Sequence, residues 1–248
     1  MNAKLPGPDA ATLARTASDV LEPVFARLSR IAEAVVESRP PRGGWSEAHL
    51  AKVQKLLVEL VAEDRLAVGF GFAAAPGQID GQDRYIAWWQ RQGERVVRLR
   101  LNFDPMSVDV YDYLQMEWFQ LAQQPRSRVA YGPYVDYSGS ELYVVTAAVP
   151  IVADGDFLGV AGVDLSVGDL ERRLIAVLRG ACTEAVLVNA ERRVIAANTP
   201  RWVIGARLPQ MPAPSGSAAP SPFVDVAELP LGTGWVLALA ESEAPANR

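Results

Sequence analysis

The chain has 248 residues, half of them apolar and 21% charged, which suits a globular protein with one or two buried cores and excludes a disordered polymer. Its 24 basic and 29 acidic side chains give a net charge of −5 with the cations scattered, so no direct nucleic-acid partner is expected. A lone cysteine, Cys182, and a lone histidine, His49, exclude an internal disulfide, a thiolate-rich metal site and a multi-histidine centre. No cofactor or metal is therefore expected, and His49, within SEAHLAKVQKLLVEL, reads as a solvated helix side chain. The longest apolar run, Leu142 to Ala153, contains Pro150 and falls short of the ~18 residues that cross a bilayer, so no membrane span is expected. The segment MNAKLPGPDAATLART has no apolar h-region, and a cytoplasmic location is the expectation.

Between Asp9 and Glu37, Ala14, Ala17, Leu21, Val24, Leu28, Ile31 and Val35 alternate at steps of three and four, the stripe of a long helix. That stripe serves either as a homodimer seam or as packing for the chain's own sheet. SRPPRGG ends this helix. Ser46 caps the next, with Trp45 and Leu50 as a hydrophobic staple and Leu50, Val53, Leu56, Leu57, Leu60 and Val61 as its buried face.

From Leu66 the period changes to two. LAVGFGFAA, DRYIAWWQRQGER and VVRLRLNF read as three antiparallel strands, the second entering a turn at Gly93. YDYLQMEWFQLAQQ, Tyr111 to Gln124, reads as one amphipathic helix with Leu114, Trp118, Leu121 and Ala122 on its core stripe. On a single helix face Trp118 and Phe119 cannot both be buried, so some of these aromatics need another partner. Two β-rich runs follow, RVAYGPYVDYSG and ELYVVTAAVPIVADGDFLGVAGVDL, with a hairpin at Asp154-Gly155. Ser166 then caps a helix carrying Asp169 in its first turn. EAVLVNAERRVIAAN and FVDVAELPLGTGWVLALAE read as two further hairpins, separated by a Pro/Ala/Ser-rich loop, residues 209–222. The expected class is α+β, built on antiparallel sheet. The expected division is an N-terminal helix (1–43), a larger sheet module (44–180) and a smaller sheet module (181–248).

YDYLQMEWFQLAQQ, AYGPYVDYSGSELYVVTAAVPI and GDFLGVAGVDLSVGDLERRL together resemble the double Cache sensor domains of bacterial chemoreceptors and histidine kinases. The resemblance covers about residues 10 to 240 in element order and implies two PAS-like antiparallel-sheet modules, the second reduced, that bind a small molecule. In the amino-acid-binding members a Tyr, an Arg-x-Trp-Tyr, a Tyr-x-Asp and a later Asp line the pocket. These positions fall on Tyr111, Met116, Trp118, Phe119, Tyr134, Asp136 and Asp164. Met116 stands where the family's arginine clamps the ligand carboxylate, a task for a forked bidentate donor that methionine lacks.

The remaining acids and aromatic faces favour a cation. An ammonium can bond to Asp136 and Asp164 and rest against Tyr111, Trp118 or Tyr134. The expected function is a stand-alone sensor, not an enzyme, that binds a cationic amine and signals through a separate partner or transcription regulator. A carboxylate or amino-acid ligand, and general acid-base catalysis by the paired acids, are the alternatives. Asp164, in an apolar strand of Gly, Val, Ala and Leu, is either a ligand contact or a cap for the helix after Ser166. Asp136 is either a ligand contact or a turn acid. Trp88, Tyr85 and Tyr143 join the candidates as strand aromatics, and Thr146 as a hydroxyl. Their faces depend on the strand register, which a one-residue slip reverses.

Overall fold

The computed structural model describes residues 7–42, 44–124, 128–137, 140–214 and 221–241. Positions 215–220 of the expected 209–222 loop, residues 138–139 of the VDYSGS segment and the first six residues lie outside that set. The chain forms two compact units, Pro23–Val167 and a second made of residues up to Glu22 together with Gly168 onward.

Helix α1 (Ala10–Glu37) contributes to both units and contains Pro23. Asp9 caps it, its carboxylate accepting from the Thr12 amide at 2.8 Å. Ala14, Ala17, Leu21, Val24, Leu28, Ile31 and Val35 are all buried within the single chain. The stripe is therefore covered within the chain, as the self-packing reading expects.

In the unit Pro23–Val167, a 3-10 turn over Glu47–Leu50 leads into α2 (Ala51–Glu63). Ser46 and His49 bond reciprocally, the Ser46 amide reaching His49 Nδ1 at 3.2 Å, and Trp45 and Leu50 are both buried beside the turn. Strands β1 (Ala67–Ala74), β2 (Ile86–Gln92), β3 (Arg95–Arg98), β4 (Val129–Val135), β5 (Tyr143–Ala153) and β6 (Asp156–Ser166) form one antiparallel sheet in the order β3-β2-β1-β6-β5-β4. The β5–β6 hairpin turns where the Asp-Gly pair places it: Asp154 and Gly155 take φ of 55° and 87°, and Ala153 pairs with Asp156.

The third strand ends at Arg98, five residues before the expected Phe103. Leu99, Leu101 and Phe103 keep their alternation beyond it and pack against the aromatic cluster. The expected helix over Tyr111–Gln124 is also broken: a 3-10 turn over Tyr113–Gln115 is followed by α3 (Glu117–Gln123), with extended backbone at Met116.

Alternation divides the sheet. Phe70 and Phe72 face the side covered by α2, where Phe72 meets Trp45 at 6.0 Å between ring centroids. Gly69, Gly71 and Ala73 face the other side, where α3 lies against β4, β5 and β6. In the second unit, α4 (Val167–Leu178) starts directly after Ser166. Strands β7 (Glu184–Val188), β8 (Val194–Ala197), β9 (Phe223–Glu228) and β10 (Val236–Ala240) form a sheet in the order β8-β7-β10-β9. The Ala10 amide donates to Asp225 Oδ2 at 2.8 Å, tying the start of α1 to β9. The fold is thus α+β: a long N-terminal helix followed by two antiparallel sheets, the second smaller.

Candidate functional site

The α3 face of the six-stranded sheet carries two cross-strand rows. Register places Gln90, Gly69, Asp164, Thr146 and Tyr131 side by side, and next to them Trp88, Gly71, Gly162, Ala148 and Val129. Three glycines leave this surface flat, and the Trp88 indole occupies the space. A Cβ on Gly71 would stand 2.1 Å from Trp88 Cε3, and one on Gly162 would stand 3.1 Å from the far edge of the ring.

Asp164, 5% exposed, projects from this surface. Its Oδ1 accepts from Thr146 Oγ1 at 2.6 Å, and Thr146 Oγ1 lies 2.8 Å from the Tyr134 hydroxyl. With the threonine proton committed to the carboxylate, Tyr134 is the donor in that second contact. Burial raises the Asp164 carboxyl to about 7; the Thr146 bond opposes the rise and the charge of Asp136 adds to it. The helix-cap reading of Asp164 is set aside, because its side chain bonds across the sheet to β5.

Tyr134 reaches this row because of a bulge. Tyr131 pairs with Thr146 and Tyr134 with Val144, so residues three apart emerge on one face with their rings 5.6 Å apart. Gly132 permits the irregularity at φ 120°, where a Cβ would stand 2.9 Å from Val144 O. Just beyond β4, Asp136 is buried, and its bond is the one that the turn-acid reading expects. Its Oδ2 accepts from the Ser140 amide at 2.7 Å, as a turn acid does, while Oδ1 is buried without a partner among the described residues.

The aromatics are supplied by the segment before α3. Arg84 grips Asp112 with two bonds of 3.1 and 2.9 Å, and the Tyr113 hydroxyl donates to Ala74 O at 2.7 Å while accepting from the Tyr85 amide. This anchorage fixes Tyr111, whose phenol is raised well above its ordinary value by burial and then by the charges of Asp136 and Asp164. Burial first and Asp164 second raise the Tyr134 phenol as well. Tyr111, Tyr134, Asp136 and Asp164 thus share one electrostatic neighbourhood.

Trp118 and Phe119 occupy a single cluster with Trp88, Tyr111 and Tyr113, their own rings 5.7 Å apart edge to face. The expectation that they could not share a core is corrected. A helix of two turns inserted between sheet and loop buries both flanks: Trp118 meets Trp88 at 6.4 Å, and Phe119 meets Tyr113 and Phe157 at 5.1 and 5.8 Å. Met116 packs half-buried against the same cluster. Tyr143 does not join it. Three residues before Thr146 on β5, it has the opposite parity, and it is 44% exposed. Tyr85 also lies outside, near Glu47 and Gln54, with its phenol raised to about 12 chiefly by burial. Sequence reasoning missed Gln90, whose place beside Gly69 appears only once the register is known.

Residues 53–172 match the family model of the methyl-accepting chemotaxis protein-like, first PDC sensor domain. No curated protein sequence matches the chain. Among solved structures it is similar to the extracellular domain of the histidine kinase soHK1S-Z6, with 18% identity and a TM-score of 0.62 over 93% of this chain and 89% of that one. It is also similar to methyl-accepting chemotaxis protein X, with 18% identity and a TM-score of 0.57 over 93% and 96% of the two chains. The ligand-binding domain of the Campylobacter jejuni chemoreceptor Tlp3, in complex with L-valine, shares 15% identity, with a TM-score of 0.60 over 93% and 89%. At these identities the fold is what is shared. The expectation of a cytoplasmic location is corrected by these relatives, which include extracellular sensor domains. Acidic composition and the lack of a span-length apolar helix among the described residues fit either side of a membrane, so they carry no information on compartment.

Proposed function

Because residues 53–172 match the model of the methyl-accepting chemotaxis protein-like, first PDC sensor domain, we propose that this Cache-type module binds a cationic amine on the α3 face of its larger sheet. The observation that carries the reading is the pair of buried carboxylates, Asp136 and Asp164. They act on the same tyrosine, and neither is in an ion pair among the described residues. Burial makes the Asp164 carboxylate costly to ionise and the charge of Asp136 adds to that cost; a bound cation offsets both. Tyr111, Trp118 and Tyr134 offer ring faces worth about 0.5–2 kcal/mol each to an ammonium or methylated ammonium. Phe119 and Trp88 hold those rings in place.

Met116 supports an amine over an amino acid, since a thioether cannot clamp a carboxylate. The L-valine bound by the Tlp3 domain favours the competing amino-acid reading. Binding, with no role for the acids as catalysts, is the proposed activity. The module is placed outside the cytoplasm and passes ligand capture to a signalling partner of the chemoreceptor or kinase type. A thermal-shift comparison of amines, amino acids and organic acids tests the reading. A ligand at 100 times its Kd stabilises by about 2.7 kcal/mol, and amines are expected to produce the shift. Stabilisation by acids or amino acids with none by amines overturns the proposal.

A further inference from the structure

Beside the two acids lies a second polar locus. Trp88, 5% exposed, buries its Nε1–H without a partner among the described residues, and Gln90 Oε1 is likewise buried and unpartnered. Both flank Gly69: a Cβ there would stand 2.7 Å from Trp88 Nε1 and 3.1 Å from Gln90 Cβ. Gly69 in turn pairs directly with Asp164, so this donor and acceptor, on β2 and leaning over Gly69, share a face with the β6 carboxylate across the single strand β1.

An unpaired buried donor and an unpaired buried acceptor are each expensive unless a bound group satisfies them. An ether or carbonyl could accept from the indole but could not donate to the amide oxygen. A second ammonium could donate but not accept, and a carboxylate would face the Gln90 oxygen with no proton to offer. A hydroxyl does both at once. From these observations we infer that the ligand is an amino alcohol, its ammonium at Asp136 and Asp164 and its hydroxyl beside the Trp88 ring edge that leans over Gly69, accepting from Trp88 Nε1 and donating to Gln90 Oε1. This rests on the amine reading and adds the second functional group. Facing positions on paired strands are about 4.5–5.5 Å apart, which suits a spacer of about two or three carbons.

The test is calorimetric titration with isosteric pairs: ethanolamine against propylamine, and 3-aminopropan-1-ol against butylamine. The amino alcohol of at least one pair is expected to bind the wild-type protein about tenfold or more tightly than its alkyl counterpart. In Gln90→Met and in Trp88→Phe that ratio is expected to fall toward one. Unfolding transitions of both variants establish that they fold, and Gln90→Met decides the matter if Trp88→Phe does not. Equal affinities within both pairs, or a preference that survives in the folded variants, overturn the hydroxyl while leaving the amine reading standing. Binding of amino acids with none of the four amines overturns both.

Discussion

Asp164 stands between Val163 and Leu165 in a strand buried on both faces, and its environment sets how the protein responds to pH. Its carboxyl is raised from 3.8 to about 7 on folding, so between those values the native chain holds a proton that the unfolded chain has released. Stability from this group is complete below pH 4, declines as pH rises toward 7 and stays at its lower level above, each unit of difference amounting to about 1.4 kcal/mol. Asp164→Asn removes the decline. Urea midpoints at pH 5 and pH 8 are expected to show the variant gaining on wild type at the higher pH; parallel behaviour would dismiss the raised carboxyl. On the proposed amine reading the same ionisation governs ligand capture. A cation prefers the charged carboxylate, so amine affinity is expected to increase with pH up to about 7 and then level off. Titrations at pH 6 in buffers of different ionisation enthalpy should reveal proton release, and an affinity flat from pH 5.5 to 8 would contradict it. Asp164 was legible in the sequence because an acid amid Gly, Val, Ala and Leu needs a partner. Tyr143 and Gln90 were not, since only the register separates an exposed tyrosine from a site-facing glutamine.

Around α3, local pattern and tertiary packing diverge. Periodicity over Tyr111–Gln124 suits one helix, yet Arg84–Asp112 and the Tyr113 hydroxyl fasten the first half to the sheet, and Met116 turns the chain before α3 begins. No period within fourteen residues encodes a salt bridge to Arg84 or a cover formed by Leu99, Leu101 and Phe103. The hairpin, by contrast, was legible because Asp154-Gly155 specifies its own turn. Trp118→Ala is expected to destabilise by about 3–5 kcal/mol, read from the denaturant midpoint. Gly71→Ala should cost about 1–3 kcal/mol, because its Cβ meets the Trp88 ring with backbone on the other side. A midpoint unchanged in Gly71→Ala would show that Trp88 does not rest on the glycine surface.

Across the whole chain, switches between helical and twofold periods revealed the order of elements, including the two C-terminal hairpins, because each element buries one face in its own unit. They could not reveal what the α1 stripe covers, as a seam and a self-packed helix share one pattern. Leu28 is fully buried in the single chain. Leu28→Asp is therefore expected to lower stability by more than about 4 kcal/mol at every protein concentration. A folded variant that merely changes its oligomeric state in sedimentation would restore the seam. The central claim, that this sensor recognises positive charge, is met most directly by calorimetric titration of the intact protein with alkylamines and with L-valine, alongside Met116→Arg. Wild type is expected to saturate with an amine and not with L-valine, and the new guanidinium to weaken the amine and favour the amino acid. L-valine saturating the wild type while every amine stays silent would contradict the account.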